Sequence, residues 1–333
     1  MATFTVAAIQ VAYDDVESIA DRITRVSDLV RATAAEHAGL DLIVLPELWA
    51  PTGFDYERWE SAAEPLGGPF TQTMSALAAE IGVTLHAGSF VERLPEPGAE
   101  AKSLANTSLV LGADGQVLAT YRKVHRFGFG SGEPKLMEAG RGRVVLPLPL
   151  QAGGSVMVGL ATCYDLRFPE LFRLLGEAGA EAFVVPAAWP LPRVAHWTLL
   201  GQARAIENQC AIIQVNTGGT HHNTVMGGNS QVVAAQGEVL GTIDGNGEAV
   251  LVATIDLAAL ADYRQTFPVL ADLLRAQPRG APLSIWCTAA STGEEPYTLA
   301  ITACEAFNTL TPPVRILASD IDTQVLATAE RGV

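Results

Sequence analysis

No apolar stretch in this chain approaches the roughly 20 residues that a bilayer-spanning helix needs, so no such span is expected. Basic residues are scarce as well. Against 36 Asp and Glu there are 21 Lys and Arg, a formal net charge of -15, which removes the electrostatic footprint of a nucleic-acid binder or of a protein drawn to anionic membranes. Four cysteines at irregular separations are too few and too scattered for a disulfide framework. They suit a reducing compartment, and the start Met1-Ala-Thr-Phe-Thr-Val-Ala-Ala-Ile-Gln10 lacks the basic residues and cleavage pattern of a signal peptide, so a cytoplasmic protein is expected. His125 and the pair His221-His222 have no Cys, His or Asp at ligand spacing around them, which argues against a metal site.

What is present is apolar residues in abundance, 49% of 333, enough for one large or two smaller cores. Apolar runs at Thr3 to Gln10, Leu42 to Leu45, Thr84 to Phe90, Ser108 to Leu111, Gly115 to Tyr121, Val156 to Ala161, Phe183 to Val185, Ala211 to Val215 and Ser230 to Ala234 read as strands. Helical periodicity marks Ile19 to His37, Phe70 to Ile81 and Pro169 to Ala178. Such alternation predicts a layered α/β architecture.

The most informative residue is Cys163. In Ser155-Val-Met-Val-Gly-Leu-Ala-Thr-Cys-Tyr-Asp-Leu-Arg-Phe-Pro-Glu170 an apolar strand delivers a thiol to a turn just before a helix. A nucleophilic thiol needs a base or a cation nearby and a backbone amide aimed at the oxyanion it creates. Asp41-Leu-Ile-Val-Leu-Pro-Glu47 ends an apolar strand in a carboxylate that would be costly to bury alone, and Tyr121-Arg-Lys-Val-His125 puts Lys123 just after another strand. Cys210, within Asn208-Gln-Cys-Ala-Ile-Ile-Gln-Val215, reads instead as a small buried hydrophobe.

With these three segments, from about Thr3 to Leu270, the chain resembles the nitrilase superfamily of carbon-nitrogen hydrolases. Asn106-Thr-Ser108, Gly132-Glu-Pro134 before Ala139-Gly140, Ala203-Arg-Ala-Ile-Glu-Asn-Gln209 and Gln236-Gly-Glu-Val-Leu240 fit the same pattern in the same order. The resemblance implies a four-layer α-β-β-α sandwich, a homodimer, no metal or organic cofactor, and hydrolysis of a small-molecule amide through a Cys163 thioester. Glu47 would be the general base, and Lys123 with the backbone N–H of Tyr164 would stabilise the oxyanion. A second glutamate belongs near the site; Glu133 matches, with Glu138 as its competitor. Arg126 stands where many relatives carry Leu, which leaves the polarity of the pocket open.

Substrate choice is expected from Pro186-Ala-Ala-Trp-Pro-Leu-Pro-Arg-Val-Ala-His-Trp197, whose pattern resembles the omega-amidase branch acting on monoamides of dicarboxylic acids. Trp189 and Arg193 are the candidate substrate contacts, Arg193 because a guanidinium can take a carboxylate bidentately, although pairing with a protein acid is an equal alternative. His196 and Trp197 read as packing and helix-start residues. Nitriles and N-carbamoyl compounds remain open as substrates, since the Glu-Lys-Cys set serves all three.

Beyond Tyr263-Arg-Gln-Thr-Phe-Pro-Val-Leu270 a different pattern starts. Leu283-Ser-Ile-Trp-Cys-Thr-Ala-Ala-Ser-Thr-Gly-Glu-Glu-Pro-Tyr-Thr-Leu-Ala300 and Ile316-Leu-Ala-Ser-Asp-Ile-Asp322 resemble the first two strands of chemotaxis-receptor glutamate methyltransferases, which bind S-adenosylmethionine. A strand, a tight turn at Ser291-Thr-Gly293, a helix and an acid at the next strand end make an incomplete Rossmann-like β-α-β fragment, with Glu295 and Asp320 as the cofactor-contact candidates. The expected division is therefore a hydrolase domain over 1–270 and a truncated methyltransferase-like fragment over 271–333, without transferase activity. The rival functional reading is a non-catalytic S-adenosylmethionine-binding fusion.

Overall fold

The computed structural model describes residues 2–267 and, beyond them, separate stretches between 283 and 319. The chain divides into two compact units, residues 1–261 and 262–333. In the first, β1 (Thr3–Gln10), β2 (Ala12–Tyr13), α1 (Ile19–Glu36), β3 (Leu42–Val44), α2 (Trp59–Ala62), α3 (Pro69–Ile81), β4 (Thr84–Arg93), β5 (Leu104–Leu111) and β6 (Val117–Arg122) come first. Then follow α4 (Glu133–Leu136), β7 (Val144–Pro149), β8 (Ser155–Leu160), α5 (Pro169–Glu177), β9 (Ala182–Ala187), α6 (Val194–Asn208), β10 (Ala211–Asn216), β11 (Gly218–His221), β12 (Thr224–Val225), β13 (Gln231–Val233), β14 (Val239–Thr242) and β15 (Ala249–Asp256). The unit boundary falls within α7 (Leu257–Thr266).

Two six-stranded sheets result, ordered β15-β1-β3-β4-β5-β6 and β14-β13-β10-β9-β8-β7. The inner strands β1, β3 and β4 run parallel, as do β8, β9 and β10, and they are buried almost throughout. That is why they read as continuous apolar runs and not as alternating ones. Helices α3 and α1 pack together over the first sheet, α5 and α6 over the second, and β1 meets β10 between the sheets. Helix starts and stops follow local chemistry. Ser18 caps α1 by accepting from the Asp21 amide at 3.1 Å, Pro69 opens α3, and Gly82 closes it in the left-handed region at φ 65°.

In the first unit every strand and helix expected from the sequence is present, with shifted ends: β5 starts at Leu104, β4 runs on to Arg93 and β6 begins at Val117. Strands β2, β7, β11, β12, β14 and β15 were not among those expected, and three of them, β7, β14 and β15, are edges of the two large sheets. β7 contains two prolines and sits at a sheet edge, where a missing N–H is tolerated, and β15 closes the first sheet antiparallel to β1.

In the second unit, β16 (Leu283–Thr288) and β17 (Val314–Ser319) form a parallel pair. Glu295, Asp320 and the turn at 291–293 lie outside the described residues.

Candidate active site

Strand ends deliver the reactive groups, and the backbone around each is specialised. Past β3 the chain crosses a bulge in β4 between His86 and Ser89. Gly88 in that bulge has φ 71°, and a Cβ there would lie 1.9 Å from the Pro46 carbonyl oxygen, so only glycine lets Pro46-Glu47 lie against the sheet. Leu48, at φ 45°, is held by its amide donating to the Ser89 backbone and hydroxyl oxygens, each at 3.1 Å. Lys123 is fixed by its amide donating to Asn106 O and its carbonyl accepting from Gly140, both at 2.9 Å. Cys163 opens a 3-10 turn, Cys163–Arg167, directly after β8 and takes φ 48°. A non-glycine residue there is strained, and the surroundings must hold it.

Asp165 supplies much of that hold. Wholly buried, it accepts from the Thr162 amide (2.9 Å), the Tyr121 hydroxyl (2.7 Å), the His125 amide (2.8 Å) and His125 Nδ1 (2.8 Å). One carboxylate thus ties the cysteine turn to the segment bearing Lys123.

The charged groups form a buried chain. Lys123 Nζ sits 2.7 Å from Glu47 Oε1 and 2.8 Å from Glu133 Oε2. The Asn106 side-chain amide donates to both carboxylates, at 2.8 Å to Glu47 and 2.6 Å to Glu133. Glu47 Oε2 accepts from the Ala188 amide at 2.9 Å, and Glu133 Oε2 from the Phe127 amide. The Cys163 thiol lines the same cavity as Glu47, whose negative charge bears on it. None of Glu47, Lys123, Glu133 and Cys163 is more than 7% exposed.

Burial pushes the Cys163 thiol up, and the Glu47 charge adds to this while Lys123 opposes it, so the resting sulfur is protonated. For Lys123 burial works against the cation, yet Glu133 and Glu47 together outweigh it and hold the ammonium above its usual range. Glu133 is raised by burial, with Lys123 and the Asn106 bond pulling the other way.

Glu47, Lys123, Glu133, Cys163, Tyr164, Trp189 and Arg193 all line one cavity. Phe54, Tyr56, Trp59 and Phe127 give it aromatic walls. Glu138 is not among them; it accepts from the Glu100 amide at 3.1 Å. Arg126 also stays out, paired with Glu100 at 2.8 Å, so it adds no polarity to the cavity. Trp197 is fully buried against Trp189, and Cys210 is buried among apolar residues, as expected for packing roles.

Arg167 was not singled out in the sequence, whereas Arg193 was. Arg167 lines the cavity, its guanidinium 4.7 Å from the Trp189 ring centroid and its Nη2 3.2 Å from His196 Nδ1. Arg193 sits over Phe127 at 5.4 Å. Neither guanidinium has a carboxylate partner among the described residues. Asn106 was named only as part of the Asn106-Thr-Ser108 motif; its signal was a polar triplet opening onto the apolar run Leu109-Val-Leu111, since a buried polar group implies a partner.

Residues 5–265 match the carbon-nitrogen hydrolase family, and residues 263–333 match the S-adenosylmethionine-binding domain of CheR methyltransferases. The chain is 44% identical over 267 residues to a 2-oxoglutaramate amidase of Paenarthrobacter nicotinovorans, covering 80% of this chain and 88% of that one. It is 34% identical to the omega-amidase NIT2 of Mus musculus, covering 81% and 95%. Among solved structures, a CN-hydrolase superfamily protein of Xanthomonas campestris, XC1258, superposes with a TM-score of 0.71 at 29% identity over 82% of this chain and 97% of its own. By sequence over four fifths of its length and by fold, this chain belongs to the carbon-nitrogen hydrolase family.

Proposed function

We propose that the protein hydrolyses the terminal amide of a dicarboxylate monoamide to the acid and ammonia through a Cys163 thioester. The observation that carries this reading is the buried Glu47 carboxylate, bonded to Lys123 and lining one cavity with the Cys163 thiol, which its charge raises. Because the resting thiol is protonated, attack on the amide carbon is coupled to proton transfer from sulfur to Glu47. Neutralising Glu47 leaves Lys123 paired with Glu133 alone, so the ammonium can turn toward the oxyanion as it forms. The Tyr164 amide, at the start of the helical turn and so without a carbonyl to bond within it, is the second donor. Collapse of the tetrahedral species passes the proton from Glu47 to the leaving nitrogen and expels ammonia. Water then attacks the thioester, Glu47 takes its proton, and the acid leaves as Cys163 recovers its hydrogen.

The substrate class rests on two supports: the activity named for the amidase and omega-amidase relatives, and two guanidiniums without acidic partners, Arg167 and Arg193, at the cavity. A guanidinium at the cavity without an acidic partner is free to take a substrate carboxylate bidentately. Ammonia release from succinamate and 2-oxoglutaramate against a neutral aliphatic amide, a nitrile and an N-carbamoyl amino acid tests this, with Cys163→Ala as control. Preference for the carboxylated amides, lost in a folded mutant, is expected; equal rates on the neutral amide, or wild-type turnover in the mutant, would overturn it.

The hydrolase domain over 1–270 is read as a cytoplasmic homodimer, the location supported by the sparse, unpatterned cysteines and checked by fractionation, the assembly by light scattering. Residues 271–333 are read as a Rossmann-like segment without transferase activity of its own. Calorimetric titration with S-adenosylmethionine is expected to give no heat of binding; tight binding would favour a fusion that senses this cofactor.

A further inference from the structure

The glutamate that completes the buried charge chain, Glu133, hangs on a segment with little rigidity of its own. Between Lys123 and Glu133 lies Arg126-Phe-Gly-Phe-Gly-Ser-Gly132, whose three glycines all have positive φ, at 148°, 74° and 75°. Such a loop loses much conformational entropy when ordered, and α4, only four residues long, adds no lasting helix. Yet Glu133 must keep its distances to Lys123, Asn106 and Phe127 within tenths of an ångström.

The tip of the β4–β5 hairpin grips this segment from outside. Arg126 Nη1 donates to the Met137 carbonyl at 2.7 Å, just past α4, and the same guanidinium takes the Glu100 carboxylate through both nitrogens, at 2.8 and 3.0 Å. Lys102 Nζ donates to the Pro134 carbonyl inside α4 and to the Glu100 carboxylate. Glu138, beyond α4, accepts from the Glu100 amide with both oxygens. The fit is close: a Cβ on Gly98 would fall 2.2 Å from Glu138 Cδ, and Ala101 at the tip is held at φ 59°. Arg126 also sits between two anchors of the site, since the His125 amide binds Asp165 and the Phe127 amide binds Glu133.

We propose that Glu100, Lys102, Arg126 and Glu138 form a clasp that holds Glu133 in register beneath Lys123, which makes Arg126 and Glu100 positioning residues for the thiol chemistry. This rests on the function proposed above. It also gives Arg126 a purpose outside the cavity and gives Glu138 a role distinct from that of Glu133.

The test compares Arg126→Leu, Glu100→Gln and Arg126→Lys with wild type in the full chain, each counted by titration of the reactive thiol so that only folded sites enter. Arg126→Leu should lower kcat for the carboxylated amide on the order of tenfold with KM within about twofold, because a slight misplacement near the reacting atoms is costly while the substrate contacts are untouched. Arg126→Lys, which keeps the charge and one donor group, should recover part of the loss. Glu100→Gln should add little to Arg126→Leu in the double variant, since both break one clasp. A second readout needs no substrate: the pH profile of Cys163 alkylation by iodoacetamide should move to lower pH in Arg126→Leu as Glu133 withdraws and its negative charge acts less on the thiol. A wild type that hydrolyses none of the amides would sink the functional reading, and the alkylation profile would still judge the clasp. An Arg126→Leu enzyme with unchanged kcat per thiol and an unchanged alkylation profile, or equal loss in the Lys and Leu variants, would overturn it.

Discussion

Asn106 is the sharpest place to perturb the site, because its one side-chain amide serves two buried carboxylates. Asn106→Ala removes the donors at 2.8 Å from Glu47 and 2.6 Å from Glu133 and leaves Lys123 as the single cation between two anions. Hydrogen bonds to charged groups contribute roughly 1.5–3 kcal/mol each, so two give about 3–6 kcal/mol, and a water entering the vacated space brings the loss toward about 3 kcal/mol. The effect depends on pH. Glu133 is already raised by burial, and losing the Asn106 bond raises it further. A carboxyl whose folded pKa lies above its unfolded value is penalised where it is charged, so the penalty is full at neutral pH and fades as the pH falls through the folded pKa. Urea unfolding of the hydrolase unit at pH 7.5 and pH 5.5 should therefore show a larger deficit at the higher pH, with kcat down on the order of a hundredfold from loss of position. A deficit below about 1 kcal/mol, equal at both pH values, would refute the view that Asn106 neutralises this pair.

Three further outcomes are expected. Arg167→Ala should raise KM for succinamate by about ten- to a hundredfold, the worth of one charge-assisted contact, and leave a neutral amide almost unaffected; a matching Arg193→Ala series shows which guanidinium the carboxylate meets. Gly88→Ala combines a left-handed φ of 71° with the 1.9 Å approach to Pro46 O, so a loss of about 3 kcal/mol or more is expected, seen as a lowered Tm together with lost activity; a wild-type Tm would mean the bulge yields. Burial pushes His86 down to about 4 and His221 to about 3, so each stays neutral in the fold while the unfolded chain titrates near 6.5. Their stabilisation is complete above that pH and is lost as pH falls below it, approaching about 3 kcal/mol from His86 alone by pH 4; a flat stability curve between pH 6.5 and 4.5 would contradict this.

Much of this molecule is legible in one dimension because its chemistry is local. The apolar runs of β1, β3, β8, β9 and β10 show because parallel inner strands are buried on both faces, and α1 and α3 show because Ser18, Pro69 and Gly82 satisfy or terminate helix ends within a turn. Glu47, Lys123 and Cys163 stand out because each closes a strand with a reactive group. β7 was not read as a strand because Pro147 and Pro149 interrupt the strand pattern, which only an edge position tolerates.

The sequence by itself determined the layered α/β class, the three strand-end groups and the change of pattern near residue 270, all matters of periodicity and short spacing. Only the tertiary structure decided what those groups meet. It bonded Asn106 to two carboxylates that lie 59 and 27 positions away in the chain, chose Glu133 over Glu138 for the site, turned Arg126 outward to Glu100 and brought Arg167 to the cavity wall. Contacts across such separations depend on sheet register and on the Gly88 bulge, and no local propensity encodes them.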